Sequence, residues 1–326
     1  MGLRLRYRLG TARLHVVTRT RFALGRMRTR PTTAAAVPRP PRPANGRTLR
    51  LTHALVASDL NPRYLDFWPL VRRAWRDIVG VEPILVLVAD EAPEPLARDP
   101  SVRVFTPLPG IHTAFQAQCI RLLYPALLEA DGGVIVSDAD MVPMNARYFH
   151  RPAGRIAADH FVAYRDVYLS SGEIPMCYNA ALPGTWGTVF GITSHDAIRA
   201  RLAEWAESVD YAGVHGGAGW LTDQQILYRT LLDRGARAAD VWILDDHYTG
   251  YRRLERAELL TRGRLDARDR RLIRRGAYSD FHCVHPYAQF KELNDLAVDL
   301  AVESIRRGRG PRRARPATRA RLGVDG

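Results

Sequence analysis

Two aspartates two residues apart, Asp138 and Asp140, follow the short apolar run Gly133-Val-Ile-Val-Ser137 and precede another, Met141-Val-Pro-Met144. Carboxylates are hard oxygen donors. A pair at this spacing, just past the end of a buried strand, can reach one Mg²⁺ or Mn²⁺. A cation held there can neutralise a diphosphate leaving group. A bare Asp-x-Asp arises often by chance and by itself reads as two solvated turn carboxylates. The apolar flanks on both sides shift the reading toward a metal site. The stretch Gly213-Val-His-Gly-Gly-Ala-Gly219 matches neither Gly-x-x-x-x-Gly-Lys-Ser/Thr nor Gly-x-Gly-x-x-Gly. It is therefore expected to be a loop that closes over a ligand rather than a phosphate cradle.

The elements that must position these residues alternate between strand and helix. Leu51–Ala57 reads as a strand and Arg63–Val79 as a helix. Pro83–Asp90 is a continuous apolar run ending in an acid, as in a buried parallel strand. Val102–Phe105 is a third short strand. Residues 112–130 form a largely apolar helix kinked at Pro125, and Gly133–Ser137 is a fourth strand. This order argues for a parallel sheet with helices on both faces, whose ligands bind beyond the carboxyl ends of the strands. Asp59, Asp90 and Asp138 all stand at such ends. Further on, the pattern gives a strand at Phe161–Tyr164, a helix at Ser194–Glu207 capped by Ser194, and a helix at Thr222–Leu232. A strand at Val241–Leu244 and an amphipathic helix at Tyr287–Ile305 complete it.

Composition bounds the class. With 326 residues, 46% of them hydrophobic, the chain can bury a substantial core. No apolar run reaches the roughly 18 residues that span a bilayer. Three widely spaced cysteines (Cys119, Cys177, Cys283) make neither a disulfide framework nor a cysteine zinc cluster, and fit a reducing compartment. The net charge of +14 is uneven: residues 1–50 hold 13 Arg and no acid, and residues 306–326 hold 8 Arg and one acid. Residues 51–305 are left mildly acidic, with 27 basic and 33 acidic residues. The organisation expected is a basic, Pro-rich, disordered leader (1–47), one folded domain (48–305) and a disordered Arg-rich tail (306–326). The leader lacks the apolar stretch of a signal peptide, so a cytoplasmic protein is expected. Arg alternating with Leu, Tyr and Phe could touch anionic membrane peripherally. Specific nucleic-acid binding is not expected of an acidic domain.

The ordered motifs resemble GT-A fold glycosyltransferases, in particular the glycogenin-like, family-eight type. They are Arg121-Leu-Leu-Tyr-Pro125, Ser137-Asp-Ala-Asp140, Cys177-Tyr-Asn-Ala180, Trp220-Leu-Thr-Asp-Gln224 and Asp280-Phe-His-Cys-Val-His-Pro-Tyr287. The stretch Asn61-Pro-Arg-Tyr-Leu-Asp-Phe-Trp-Pro-Leu70 is similar to the opening helix of a less studied GT-A-like group. The resemblance spans about residues 50–300. It departs from the family at the C-terminal histidine, which stands in His282-x-x-His-Pro-Tyr, and after Asn179, where Ala-Ala replaces a small residue and Gly.

The resemblance implies an α/β fold with a GT-A-like, Rossmann-type mixed sheet, helices on both faces, and flexible basic tails on a single domain. It implies transfer of a sugar from a nucleoside diphosphate sugar, most simply a UDP-sugar, to a glycan, lipid or protein acceptor, with retained anomeric configuration. Mn²⁺ (or Mg²⁺) would sit on Asp138, Asp140 and a histidine. His282 is favoured as that ligand, leaving His285 toward the diphosphate. Arg121 would pair with the diphosphate or hold an aspartate. Asp223 would accept hydrogen bonds from donor-sugar hydroxyls, with Gln224 near the reacting carbon. Ala57, Ser58 and Asp59 would line the nucleotide pocket, Asp138 would also contact ribose, and Asn179 would belong to the same pocket. Trp186, Trp220 and Tyr178 could stack on an acceptor, although core packing accounts for any one of them. Two rival readings are a sugar nucleotidyltransferase, which usually has a Gly-rich basic loop after its first strand that Ala57-Ser-Asp-Leu-Asn-Pro62 lacks, and an Arg-tail nucleic-acid-binding protein.

Overall fold

The computed structural model describes residues 46–233, 240–245 and 249–309. Apart from residues 46–47 and 306–309, the expected leader and tail lie outside them.

The sheet begins with β1 (Leu51–Asp59), β2 (Glu82–Val88), β3 (Val102–Phe105) and β4 (Gly133–Val136). Alternation of side chains along each strand feeds two cores. Ala54 and Val56 of β1, Leu85 and Leu87 of β2 and Ile135 of β4 face the first, against Trp75 and Ile78. Leu55, Ala57, Val86, Val88, Val134 and Val136 face the second, against Phe115, Cys119 and Leu122. Both faces are thus covered by helix. This explains the nearly continuous apolar runs in the sequence.

Two expected helices are interrupted at proline. The region Arg63–Val79 is a short turn at Pro62–Leu65 followed by Trp68–Ala74 and a wider turn at Trp75–Val79, closed by Gly80 at φ 81°. Pro69 has no N–H to continue a helix from upstream, so the helix restarts there. The helix Thr113–Leu123 likewise tightens into a 3₁₀ turn at Tyr124–Leu127, around Pro125.

The remaining strands are β5 (Met141–Pro143), β6 (Phe161–Ala163), β7 (Asn179–Ala181), β8 (Val241–Ile243), β9 (Arg252–Leu254) and β10 (Tyr278–His282). The large sheet runs β3-β2-β1-β4-β7-β6-β8. It is parallel through β1, β2, β3 and β4, while β7 lies antiparallel to both β4 and β6. It is therefore mixed rather than wholly parallel, as the resemblance rather than the periodicity implied.

Two consequences position a site. The chain steps outward from β1 to β2 and β3, then returns to place β4 on the other side of β1. This reversal leaves a crevice at the carboxyl ends of β1 and β4, where Asp59 and Asp138 stand. The small sheet β5-β10-β9 pairs β10 antiparallel to β5, with His282 opposite Met141. A segment from near the end of the described chain is thereby held beside Asp140. Among the described residues no helix is long and apolar enough to cross a membrane.

Candidate functional site

A cavity of about 200 Å³ opens in this crevice. Its walls combine the end of β1 (Ala57, Ser58, Asp59), the exit of β4 (Asp138, Ala139, Asp140), Arg121, Asp223, Gln224, Arg256 and His282. Six separate stretches of sequence converge there. Asp59 is fixed by Thr113 Oγ1, which donates at 2.9 Å, and by the backbone N–H of Asn61 at 3.1 Å. Asp90, the other strand-end acid, is exposed and does not line the cavity.

Arg121 is a buried clamp. One of its terminal nitrogens donates to Asp138 Oδ1 and the other to Asp223 Oδ2 at 2.6 Å. The Ser137 carbonyl accepts at 3.3 Å and the Gln118 carbonyl at 3.2 Å. Of the two roles expected for Arg121, the structure shows the second: it holds aspartates. Asp223 is only 2% exposed and its Oδ1 accepts from the Gln224 N–H at 2.9 Å. Burial, opposed by Arg121 and reinforced by the Asp138 charge, pushes the Asp223 carboxyl up to about 6.

Asp140 is the second focus. Its Oδ2 receives His285 Nε2 at 2.7 Å, His282 Nε2 at 3.0 Å and Arg256 Nη1 at 3.2 Å. Burial would raise this carboxyl. The neighbouring His282 ring, hydrogen bonds from both imidazoles and the Arg256 charge outweigh that and hold it well below the usual carboxylate range. The two histidines differ in outlook. His282 lines the cavity, whereas His285 packs edge-on against Phe67 (4.7 Å) and Tyr64 (5.8 Å). His285 therefore sits behind Asp140 rather than toward the cavity as expected for a diphosphate contact.

The Gly213–Gly219 loop forms one wall of the mouth. His215 on this loop meets Tyr64 Oη at 3.0 Å through Nδ1, and its ring lies against Trp220 at 4.6 Å. The glycine at 219 is required: its φ is 73°, and a Cβ there would come within 2.7 Å of Val209. With the Arg256–Asp140 pair, the Tyr64–His215 contact draws the walls together. The cavity is smaller than the roughly 300–1,000 Å³ of ordinary ligand clefts.

Other expected residues lie elsewhere. Asn179 is fully buried on β7, where its amide donates to the carbonyls of Pro175 (2.7 Å) and Met176 (3.1 Å). It shapes the loop that brings Met176 to the cavity and does not line the cavity itself. Tyr178 and Trp186 are core residues with 0% exposure, and only Trp220 of the three candidate aromatics reaches the cavity. Arg256 was not anticipated. It lies in an Arg-rich stretch, and no local pattern distinguishes it from its neighbours.

The expected cation ligands Asp138, Asp140 and His282 come to one cavity but do not surround one point. Asp138 faces Arg121 and Asp140 faces Arg256. An ionised carboxylate only accepts hydrogen bonds, so each Nε2 on Asp140 carries a proton instead of an open lone pair. Among the described residues, no group of three or more His, Cys, Asp or Glu is placed to hold a metal ion. The residues as arranged do not fit Mn²⁺ or Mg²⁺.

No protein-family model matches the chain, and no curated protein matches it. Among solved structures it is similar to the galactosyltransferase LgtC in complex with donor and acceptor sugar analogues, at TM-score 0.40 and 13% identity over 77% of this chain and 96% of that one. It is similar to the glycosyltransferase GlyE of Streptococcus pneumoniae TIGR4, at TM-score 0.43 and 14% identity over 77% of this chain and 60% of that one. A third likeness is to the bifunctional glycosyltransferase WbbM in its apo form, at TM-score 0.37 and 11% identity, over 79% of this chain and 51% of that one.

Proposed function

We propose that this chain is a glycosyltransferase that moves a sugar from a nucleoside diphosphate sugar, with UDP as the nucleotide, to a hydroxyl acceptor with retention at the anomeric carbon. The observation that carries this reading is the crevice at the β1–β4 reversal. There the end of β1, a clamped carboxylate (Asp223) and two basic groups facing one cavity (Arg256, His282) come together. A nucleoside fits the strand-end wall of Ala57, Ser58 and Asp59. The sugar hydroxyls are hydrogen-bond donors that match Asp223, whose orientation Arg121 fixes. The diphosphate then lies toward Arg256 and His282.

In the transfer, the bond from C1 of the sugar to the diphosphate oxygen breaks and the electron pair leaves with the diphosphate. The acceptor oxygen forms the new bond to C1, and its proton passes to the departing phosphate oxygen. Fixed positive charge at the leaving group supplies the electrostatic stabilisation, typically the largest single contribution in such sites. The cation expected from the sequence enters no step, because the groups that would ligate it are engaged with one another and with arginines.

The reading is tested by incubating the protein with a panel of nucleotide sugars and following release of the nucleoside diphosphate. Release of UDP from at least one donor, abolished in Asp223→Asn, supports it. Release of pyrophosphate from a nucleoside triphosphate plus a sugar phosphate would instead support a nucleotidyltransferase.

A further inference from the structure

The two aspartates of the Asp-x-Asp pair each face a guanidinium, and the two guanidiniums differ. Arg121 is buried, with a side chain 8% exposed, and spends its donors on Asp138, Asp223 and two carbonyls. Arg256 is 29% exposed at its side chain, lines the cavity, and reaches Asp140 through Nη1 alone at 3.2 Å. On its other side Asp140 is backed by His282 and His285, both on the same oxygen, Oδ2. That oxygen already accepts from three nitrogens, which leaves it no place for a divalent cation at about 2.0–2.1 Å. A cation on this oxygen would stand beside the guanidinium, whose Nη1 lies 3.2 Å from the same atom. The two positive charges would repel each other, the more so for a divalent ion. Both imidazoles also present their N–H to the carboxylate, so neither offers a lone pair at this position.

We propose that Arg256 is the resident cation of this site: Asp140 and its two histidines hold its guanidinium at the cavity wall, where it takes the diphosphate of the donor directly and makes transfer independent of a divalent cation. Arg256 is suited to this because a guanidinium makes paired contacts to phosphate oxygens and keeps its charge at any working pH. Asp140 is then a positioning residue for Arg256 rather than a metal ligand. The inference rests on the glycosyltransferase reading for the identity of the anion, but its metal arm does not.

Two measurements on the full chain test it. Titration with Mn²⁺ alone, followed by isothermal calorimetry and by the electron paramagnetic resonance of free Mn²⁺, should show no binding to the wild type. In Arg256→Gln, which removes the competing positive charge beside Asp140, Mn²⁺ binding should appear. UDP affinity, read from calorimetry, should agree within about threefold in EDTA and in Mn²⁺ for the wild type. In Arg256→Gln it should fall by roughly tenfold or more in EDTA, as expected when a charged hydrogen bond is lost, and recover in part with Mn²⁺. Arg256→Lys, which keeps the charge, should retain binding in EDTA. Mn²⁺ binding to the wild type that is unchanged in Arg256→Gln, or UDP binding abolished by EDTA, would overturn the proposal. If UDP binds under no condition, the donor reading fails, and the Mn²⁺ titration still decides whether Arg256 holds the cation position.

Discussion

Replacing Arg121 by methionine isolates the clamp. The side chain length is nearly kept and the charge removed, so Asp138 and Asp223 lose their shared partner. The two acids are not equivalent. Asp138 is 31% exposed at its side chain and regains water, whereas Asp223 is 3% exposed and cannot. The cost therefore falls mainly on Asp223. Removing one partner of a buried ion pair costs about 3–5 kcal/mol, because the remaining charge is left uncompensated. Part of that cost is recoverable by protonation. With Arg121 gone, the Asp223 carboxyl moves above its present value of about 6. Each unit of pH below that raised value returns about 1.4 kcal/mol. We expect urea denaturation to show a loss of about 3–5 kcal/mol at pH 8 that shrinks to about 1–3 kcal/mol at pH 5. A loss below 1 kcal/mol, or one identical at both pH values, would refute the claim that Arg121 exists to neutralise a buried aspartate.

Further expectations concern single groups. In the wild type the Asp223 carboxyl is raised from about 3.9 in the unfolded chain to about 6 in the folded one, so its favourable contribution is full below pH 4 and lost as pH rises through 6. Asp223→Asn should therefore gain on the wild type by about 2–3 kcal/mol between pH 4 and pH 7, measured as the difference of their denaturation curves. Tyr64→Phe removes the contact with His215 at the mouth, and should raise donor KM and dissociation rate while leaving the melting temperature nearly unchanged. Gly219→Ala meets both a left-handed backbone and Val209, and should cost about 1–3 kcal/mol in denaturation, with looser donor binding. Trp186→Ala empties a core position that stacks on Phe190 and donates to the Val134 carbonyl; a loss of about 3–5 kcal/mol is expected by calorimetry.

Much of the scaffold was legible because its signals are local. β1 to β4 show as apolar runs, and Ser194 caps its helix by accepting from the Ala197 N–H at 3.1 Å, as its residue type suggested. Pro125 marked the end of its helix, and Pro69 could have marked the break in Arg63–Val79. β5, β7, β9 and β10 were not read although β6 and β8 are as short: Pro143 in β5 and the polar residues Asn179, Arg252, Arg253, Ser279 and Asp280 in the others leave them without the apolar run that marked Phe161–Ala163 and Val241–Ile243. Asp138, Asp140, Arg121, Asp223 and His282 were found through their order along the chain and do meet in space. Arg256 was not found, because what distinguishes it is proximity to Asp140 across 116 residues, which no local pattern encodes. Asn179 and His285 were drawn to the site by motif, yet burial assigns them supporting places, one under a loop and one behind a carboxylate.

The late arrival of β10 has a consequence for biosynthesis. Asp140 leaves the ribosome 116 residues ahead of Arg256, 142 ahead of His282 and 145 ahead of His285. Until those segments emerge, a carboxylate destined for the interior has none of its three partners, so the nascent large sheet must keep that corner hydrated and open. Only when the last strand inserts beside β5 can the acid be enclosed. A stop codon or protease cut between residues 244 and 278 therefore yields a chain that keeps every strand of the large sheet yet cannot finish its cleft.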